Sequence, residues 1–438
     1  MRKYINSIFE YLAKKADEVE VFGVFSKSLD IEIKEGEIDT INTSSKKGIG
    51  IRVIKEGKMG FTFLIPTLKE SFSEFLEKFI ESVSFLEKDS ANQFPSPEKL
   101  PDISCYDENL EKIPLEEKIE KAKLLEKKAK EFDRRITKVR YASYKDTIGE
   151  IFIKNSRGID YSYKFSICSG FIMVISENKL GSESAYSFDQ SRYFDKLKIE
   201  EIANEASKEA VYLLGAKSIP SRRIDIILKP KVAIEFLGLL SYSFSADAVY
   251  KGKSLLKDKL GERIFPKHIN IIDDGTLKDG LGSSPFDDEG TPKRKTILVK
   301  NGVIKNFLTN IYTANKLNIK STANALRSSF KSPPKVGVSN FYLEKGSEDV
   351  LSSSNEAFLI FDVMGMHTAD PISGDFSVGA TGVLVKNGRI LHPIRSVTIA
   401  DNIIEFFKKI EKIGNDLRFF GSLGSPSILI KDVTLSGE

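Results

Sequence analysis

The stretch from Lys229 to Asp247 constrains the fold more strongly than any other part of the chain. It follows a strand-like run at 224–228, and Pro230 suits the first turn of a helix, where its missing N–H is not needed. The turns that follow are apolar on nearly every side, so the pattern predicts a helix buried in a protein core. This apolar part carries one carboxylate, Glu235, and one phenol, Tyr242.

The length of the chain indicates more than one core. It has 438 residues, of which 41% are hydrophobic, and a single hydrophobic core rarely organises so long a chain. We therefore predict two domains, residues 1–220 and 221–438. The boundary is expected at the short polar segment around Pro220.

The first half alternates between helical and strand patterns. Apolar spacing predicts helices near 3–17, 71–86, 114–132 and 198–214, and alternating segments between them predict antiparallel hairpins. A polar segment with several prolines, 89–102, reads as a loop or linker. The fold class predicted is α+β, with an N-terminal domain of hairpins and flanking helices.

The second half is richer in turns centred on glycine. Asn301-Gly302 and Asn387-Gly388 each lie between two apolar runs, which is a strong hairpin signal. We predict a mainly antiparallel β domain built around the buried helix at 231–247. A late helix is expected from 403 to 413.

Composition argues against several classes of function. Formal net charge is only +4 and both signs are mixed, so no nucleic-acid or anionic membrane surface is indicated. No segment reaches the roughly 20 apolar residues of a membrane span, and no signal peptide is evident, so we expect a cytoplasmic protein. Cys105 and Cys168 are far apart in sequence and fit reduced thiols better than a disulfide framework.

The sequence contains no recognisable zinc-binding motif. Zinc needs three or four nitrogen, sulfur or oxygen ligands at one point, and the three histidines are scattered. An oxygen-rich metal site is conceivable in either of two acidic segments. The first acidic segment contains Asp362, His367, Asp370 and Asp375. The second contains Asp273, Asp274, Asp287, Asp288 and Glu289. We favour ordinary turns, in which Asp is common. Glu235 could be an acid or base of raised pKa, but a paired buried carboxylate is the commoner case.

Several passages of the second half resemble the TldD/PmbA family, the modulator of DNA gyrase proteins, and within it the PmbA/TldE branch. These passages are 245–254, 285–292, 321–325, 374–380 and 413–427. The first half resembles the family more loosely, through its layout and the sequence Gly48-Ile49-Gly50-Ile51-Arg52.

The resemblance implies a two-part metallopeptidase whose TldD-type subunit carries a His-Glu-x-x-x-His zinc motif on a helix and a cysteine ligand near its C-terminus. The positions that correspond to the motif here are Leu237, Gly238 and Tyr242. The cysteine has no counterpart either, since both cysteines lie in the first half. The resemblance therefore implies no catalytic, cofactor-binding or metal-binding residue in this chain, and zinc is expected in the partner subunit.

We therefore expect a non-catalytic subunit that pairs with a TldD-type zinc-bearing paralogue and handles small or unfolded peptides. Exposed strand edges could hold an extended peptide backbone. Two alternatives remain open. One is an independent metal-dependent hydrolase that uses the cluster around Asp362 and Asp375, and the other is a stand-alone peptide-binding homodimer.

Overall fold

The computed structural model describes residues 1–66 and 72–438. The α-helices of this part are α1 (Arg2–Leu12), α2 (Ser73–Val83), α3 (Leu115–Phe132), α4 (Ile199–Leu213), α5 (Pro230–Ser241), α6 (Ala246–Tyr250), α7 (Ile311–Leu317) and α8 (Ile403–Lys408). The strands of the first half are β1 (Glu18–Lys34), β2 (Glu37–Lys55), β3 (Lys58–Leu64), β4 (Ile136–Asn155), β5 (Asp160–Asn178) and β6 (Gly181–Ser191).

The second half contains shorter strands and more crossovers. They are β7 (Arg222–Leu228), β8 (Ile271–Asp274), β9 (Lys295–Lys300), β10 (Val303–Ile304), β11 (Ala325–Leu326), β12 (Lys335–Val336), β13 (Phe341–Leu343), β14 (Glu356–Met364), β15 (Asp375–Lys386), β16 (Arg389–Asn402), β17 (Ile410–Ile413), β18 (Arg418–Phe420), β19 (Leu423–Ser425) and β20 (Ile428–Ser436). The predicted α+β class is confirmed.

The first half forms one antiparallel sheet in the order β3-β2-β1-β4-β5-β6. Apolar residues of its strands pack against α1 and α2 in one core, and against α3 and α4 in a second core. Because successive side chains of a strand point to opposite faces, the alternate residues of β1 and β2 are directed away from these helices. The predicted helix at 71–86 appears as α2, and its first residue, Ser71, lies outside the described part.

The second half contains a closed barrel. Strands β16, β15, β14, β7 and β20 pair in that order, and β16 also pairs with β20, which closes the ring. A second sheet has the order β10-β9-β8-β13-β19-β18. Most neighbours are antiparallel, as expected, but β7 with β14 and β13 with β19 are parallel pairs.

The predicted buried helix is α5. It begins at Pro230, after the extended residue Lys229, and packs among the barrel strands β7 and β14, the second-sheet strands β13, β18 and β19, and α8. The Phe236 ring, fully buried, lies 4.8 Å from the Phe406 ring and 5.1 Å from the Phe376 ring. This helix therefore ties the two sheets of the second half together.

Three predicted helices end more than one turn earlier than expected. The helix predicted near 3–17 is α1, which ends at Leu12. The helix predicted to run to Asp247 ends at Ser241 and continues as a 3-10 turn, Tyr242–Phe244, followed by α6. The helix predicted at 403–413 ends at Lys408, and the remaining residues form β17, which pairs with β20. Pairing with a distant strand has overridden the local periodicity there.

Membrane and cysteine features are simple. No helix of the described residues is long and apolar enough to cross a membrane. Cys105 and Cys168 are both buried free thiols.

The position of Phe236 leads to the first prediction. Phe236→Ala should lower the free energy of unfolding by about 3–5 kcal/mol, because it leaves a cavity between three packed elements. Phe85→Ala is the control: that ring is 88% exposed, and its loss should change stability by about 0.5 kcal/mol or less. Urea titrations followed by far-UV circular dichroism measure both. Similar losses for the two variants would contradict the central position of α5.

Candidate functional site

Helix α5 presents one narrow face to solvent. Four of the exposed or partly exposed residues towards its C-terminal end are Glu235, Gly238, Leu239 and Tyr242, the last of which directly follows the helix. Positions i, i+3, i+4 and i+7 lie on one side of a helix, so these four residues form a continuous outward stripe. The rest of the helix from Val232 to Leu240 is buried in the core.

The positions at which the resemblance places a metal motif lie on this part of the helix. Leu237 points into the core and is 1% exposed. Gly238 belongs to the outward stripe, and a Cβ atom added to it would stand 3.3 Å from Leu423 Cδ1. Tyr242 opens the 3-10 turn and is partly exposed. A branched hydrocarbon, a hydrogen atom and one phenol lack the imidazole, thiolate and carboxylate groups that hold zinc, so these residues do not fit the ion.

A polar group surrounds the start of the outward stripe. Tyr186 Oη lies 3.2 Å from Asp362 Oδ1, and the buried Lys231 ammonium donates to the Tyr186 carbonyl oxygen at 2.9 Å. Burial raises the pKa of Asp362, and the Lys231 charge opposes that rise. Partial desolvation raises the pKa of Glu235, and repulsion from Asp362 raises it further. Both carboxylates therefore hold protons more readily than exposed ones.

The other members of the first acidic segment lie in turns or, in the case of Asp375, at the first position of β15. Asp370 accepts the N–H of Ile372 at 2.8 Å, and Asp375 accepts from Asn402 Nδ2 at 2.9 Å. His367 is exposed in the 3-10 turn Met366–Thr368. No group of three or more His, Cys, Asp or Glu side chains that could hold a metal occurs within 1–66 and 72–438. The contact of Asp370 is that of an ordinary turn residue, whereas Asp375 binds a side chain of the neighbouring strand at the start of β15.

The second acidic segment differs from an ordinary surface turn because its carboxylates are buried. Asp287 accepts the N–H groups of Glu289, Thr291 and Ala325. Asp273 accepts from the Ser339 N–H and from Asn324 Nδ2. Sequence reasoning placed these residues in turns. The turn at 287–290 does form, whereas Asp273 and Asp274 are the last residues of β8.

One of these residues joins the two halves of the chain. The Arg52 guanidinium, on β2, binds both oxygens of Glu20 at 2.8 and 2.6 Å and Glu289 Oε1 at 2.9 Å. Arg327 Nη2 binds Glu20 Oε1 at 2.6 Å. All four residues are at most 7% exposed, and the remaining oxygen of Glu289 accepts the Ile311 N–H. The network thus holds the N-terminal sheet against the second half with each charge paired.

The strand that carries Arg52 explains a motif of the sequence. Gly48, Gly50 and Arg52 alternate along β2 with the buried Ile49 and Ile51. A Cβ atom at Gly48 would lie 2.3 Å from the Phe330 ring, and one at Gly50 would lie 2.7 Å from the Phe330 carbonyl oxygen. Glycine is required at both positions because Phe330, from the second half, approaches so closely.

A second, partly buried network lies at the start of α5. Lys229 pairs with Glu205 and Glu209, and Lys231 Nζ binds Glu209 Oε2 at 3.1 Å. Arg418 Nη1 binds Glu205 Oε2 at 2.7 Å. Glu209 therefore bridges two lysines and connects α4 to the first turn of α5.

A cleft of about 510 Å³ lies near the other end of the outward stripe, since Lys251 helps to line it and interacts electrostatically with Tyr242. Arg52 and Phe61 of the first half and Asp247 and Tyr312 of the second half help to line it. Ligand sites are often found where two parts of a chain meet. Sequence reasoning missed this cleft and both networks, because no local pattern shows which distant charges will meet.

Family models match nearly the whole chain. The PmbA/TldA metallopeptidase C-terminal domain matches residues 221–437, the central domain matches 108–214, and domain 1 matches 19–82. An uncharacterised protein of Methanocaldococcus jannaschii is 33% identical over 95% of this chain and 96% of its own length. Metalloprotease PmbA of Escherichia coli is 24% identical over 100% of this chain and 96% of its own length.

Solved structures share the fold. The crystal structure of a candidate modulator of a DNA gyrase from Thermotoga maritima has a TM-score of 0.90 and 28% identity, and all of both chains are covered. The structure of TldE from Thermococcus kodakarensis has a TM-score of 0.87 and 22% identity, with 99% of each chain covered. The second likeness concerns the fold alone.

The buried network supports a prediction about stability. Arg52→Met should lower the free energy of unfolding by about 3–5 kcal/mol, because it removes a cation that Glu20 and Glu289 bind in the interior. Arg223→Met is a matched control, since Arg223 also forms a two-point ion pair, with Asp432, but both side chains are about 60% exposed. Its loss should cost about 0–1 kcal/mol. Urea unfolding measures both, and equal costs would contradict the proposed role of the network.

The carboxylates beside the outward stripe support a prediction about titration. Asp362→Asn removes a neighbouring negative charge, so the pKa of Glu235 should fall while remaining above its ordinary value because of desolvation. Nuclear magnetic resonance of side-chain carboxyl carbons measures this shift. Asp375→Asn, at the exposed start of β15, should leave the pKa of Glu235 unchanged. An unchanged Glu235 titration in Asp362→Asn would contradict the interaction.

Proposed function

The chain belongs to the PmbA/TldD metallopeptidase family, and from that premise we propose that it is the metal-free subunit of a two-part metallopeptidase. The zinc would be held by a TldD-type paralogue, and the substrates would be short or unfolded peptides. The observation that carries the proposal is the chemistry of α5. Its motif positions hold Leu237, Gly238 and Tyr242, which cannot supply a zinc ligand set.

Other features of the molecule support a role in binding and orienting peptides. The outward stripe is bounded by the polar group around Asp362 at one end and by the 510 Å³ cleft at the other. In the proposed complex this surface forms part of the wall of an enclosed space that faces the partner's metal. The residues of this chain bind and orient the peptide, while the metal in the partner subunit activates the water.

Strand edges give the chain a means of holding an extended backbone. β3 pairs with β2 only from Ile49 to Lys55, whereas β2 pairs with β1 from Glu37 onward. The stretch 37–47 therefore has one edge that no described strand covers. An added peptide strand can satisfy such N–H and C=O groups by β-augmentation.

Reconstitution tests the proposal directly. The full chain, a TldD-type paralogue with an intact zinc motif, and their mixture are assayed on unfolded casein. We expect no hydrolysis by this chain alone, and more hydrolysis by the mixture than by the paralogue. Size-exclusion chromatography with light scattering should show a complex of the two chains. Absence of both a complex and a rate increase would contradict the proposal.

Two variants distinguish this proposal from an independent hydrolase. If Asp370 and Asp375 served a metal, Asp370→Asn and Asp375→Asn would abolish an activity intrinsic to the pure chain. We expect neither variant to change the activity of the reconstituted mixture, because neither side chain belongs to a group of three or more His, Cys, Asp or Glu side chains that could hold a metal in the described part of the chain. An activity of the pure wild-type chain that both variants abolish, with folding intact by circular dichroism, would favour the independent hydrolase.

A further inference from the structure

A second cavity, of about 500 Å³, lies on the outside of the barrel. One of its walls is formed by α4 residues that are spaced to lie on one face of the helix, and these are Glu205, Lys208, Glu209 and Tyr212. Apolar side chains of the barrel line it as well, and these are Ile227, Leu359 and Phe361. This volume is in the range of sites for small molecules.

The cavity is separate from the outward stripe of α5. Ile227 and Leu359 belong to an apolar cluster on the α4 side of the barrel wall. Their neighbours in the strands, Ile226 and Ile360, belong to the core that contains α5. Since alternate residues of a strand face opposite sides, the barrel wall lies between the two sites.

Two aromatic rings give the cavity a flat, partly apolar surface. The rings of Tyr212 and Phe361 are stacked, with centroids 6.5 Å apart and planes inclined by 27°. Lys229 Nζ lies 5.4 Å from the centre of the Phe361 ring, and Lys208 Nζ lies 5.7 Å from that of Tyr212. Apolar groups of a ligand can pack beside these rings.

Some charges of the lining already neutralise one another. Lys229 pairs with Glu205 and Glu209. Glu348 Oε2 lies 3.0 Å from Lys412 Nζ. Glu205 and Glu209 also bind Arg418 and Lys231, so each of these three carboxylates already has a cation beside it.

Three other charges of the lining have no ion-pair partner within the described residues, and they are Lys208, Asp349 and Asp416. Asp349 accepts only from neutral donors, the N–H groups of Leu351 and Ser352 and the Ser352 hydroxyl. Asp416 accepts from the N–H and hydroxyl of Ser427. The cavity thus presents an ammonium group and two carboxylates around an apolar surface.

The geometry points to a binding site for a small zwitterion that has a free α-ammonium group, a free α-carboxylate and an apolar side chain. A free amino acid or a dipeptide has this chemistry. Its ammonium group complements Asp349 and Asp416, its carboxylate complements Lys208, and its side chain packs on the barrel wall and the rings. This site goes beyond the proposed subunit function and does not depend on it.

Isothermal titration calorimetry on the full chain, without partner or metal, tests the site. The probes are L-phenylalanyl-L-leucine, L-phenylalanine, and the same dipeptide with an acetylated N-terminus and an amidated C-terminus. We expect at least one free zwitterion to bind, and the blocked dipeptide to bind about tenfold more weakly or worse, because both charges are removed. The free probe that binds more tightly identifies the source of the ligand. Failure of both free probes to bind, or equal binding of the blocked dipeptide, would overturn the proposal.

Variants locate the binding within the cavity. Lys208→Gln and Asp349→Asn should each weaken binding of the better probe about tenfold. Asparagine at 349 keeps an acceptor for the Leu351 N–H, so the turn should persist, and circular dichroism checks the fold. Lys3→Gln, on the exposed surface of α1, should bind like the wild type. Unchanged binding in both cavity variants would place the ligand elsewhere and overturn the assignment.

Discussion

The structure depends on a group of buried ion pairs between the two halves of the chain. Arg52 lies between Glu20 and Glu289, and Arg327 completes the group by binding Glu20. Taking four charges out of water is costly, and a buried ion pair need not add net stability. The effect of this group is to raise the free energy of other arrangements of the two halves, because any displacement would leave a buried charge unpaired. Gly48 and Gly50 serve the same contact by admitting Phe330.

The fixed arrangement presents one face of α5 to solvent in a fold that the family shares over its full length. A fold does not determine an activity, which depends on the side chains of the site. Here Leu237 completes the apolar core, while Gly238 and Tyr242 lie on the outward stripe without a carboxylate or imidazole of the family motif. The neighbouring carboxylates Glu235 and Asp362 give the surface polarity, which suits peptide binding. In the proposed complex, the metal chemistry would therefore come from another chain.

The sequence allowed correct prediction of features that depend on near neighbours. Pro230 and the apolar turns after it predicted α5, and Asn301-Gly302 predicted a hairpin that forms between β9 and β10. The prediction of a helix at 403–413 was wrong beyond Lys408, because residues 410–413 pair with the later strand β20. Arg52 and Glu289 are 237 positions apart, and nothing local to either residue indicates their pairing. For that reason Glu289 resembled an ordinary turn residue in the sequence.

The most direct test of the central claim is the zinc content of the purified, dialysed chain, measured per protomer by elemental analysis. The account predicts tightly bound zinc far below one ion per chain, with no peptidase activity on unfolded casein. A stoichiometric metal ion together with activity would contradict it, because the side chains of α5 could not then be the whole explanation of what this chain does.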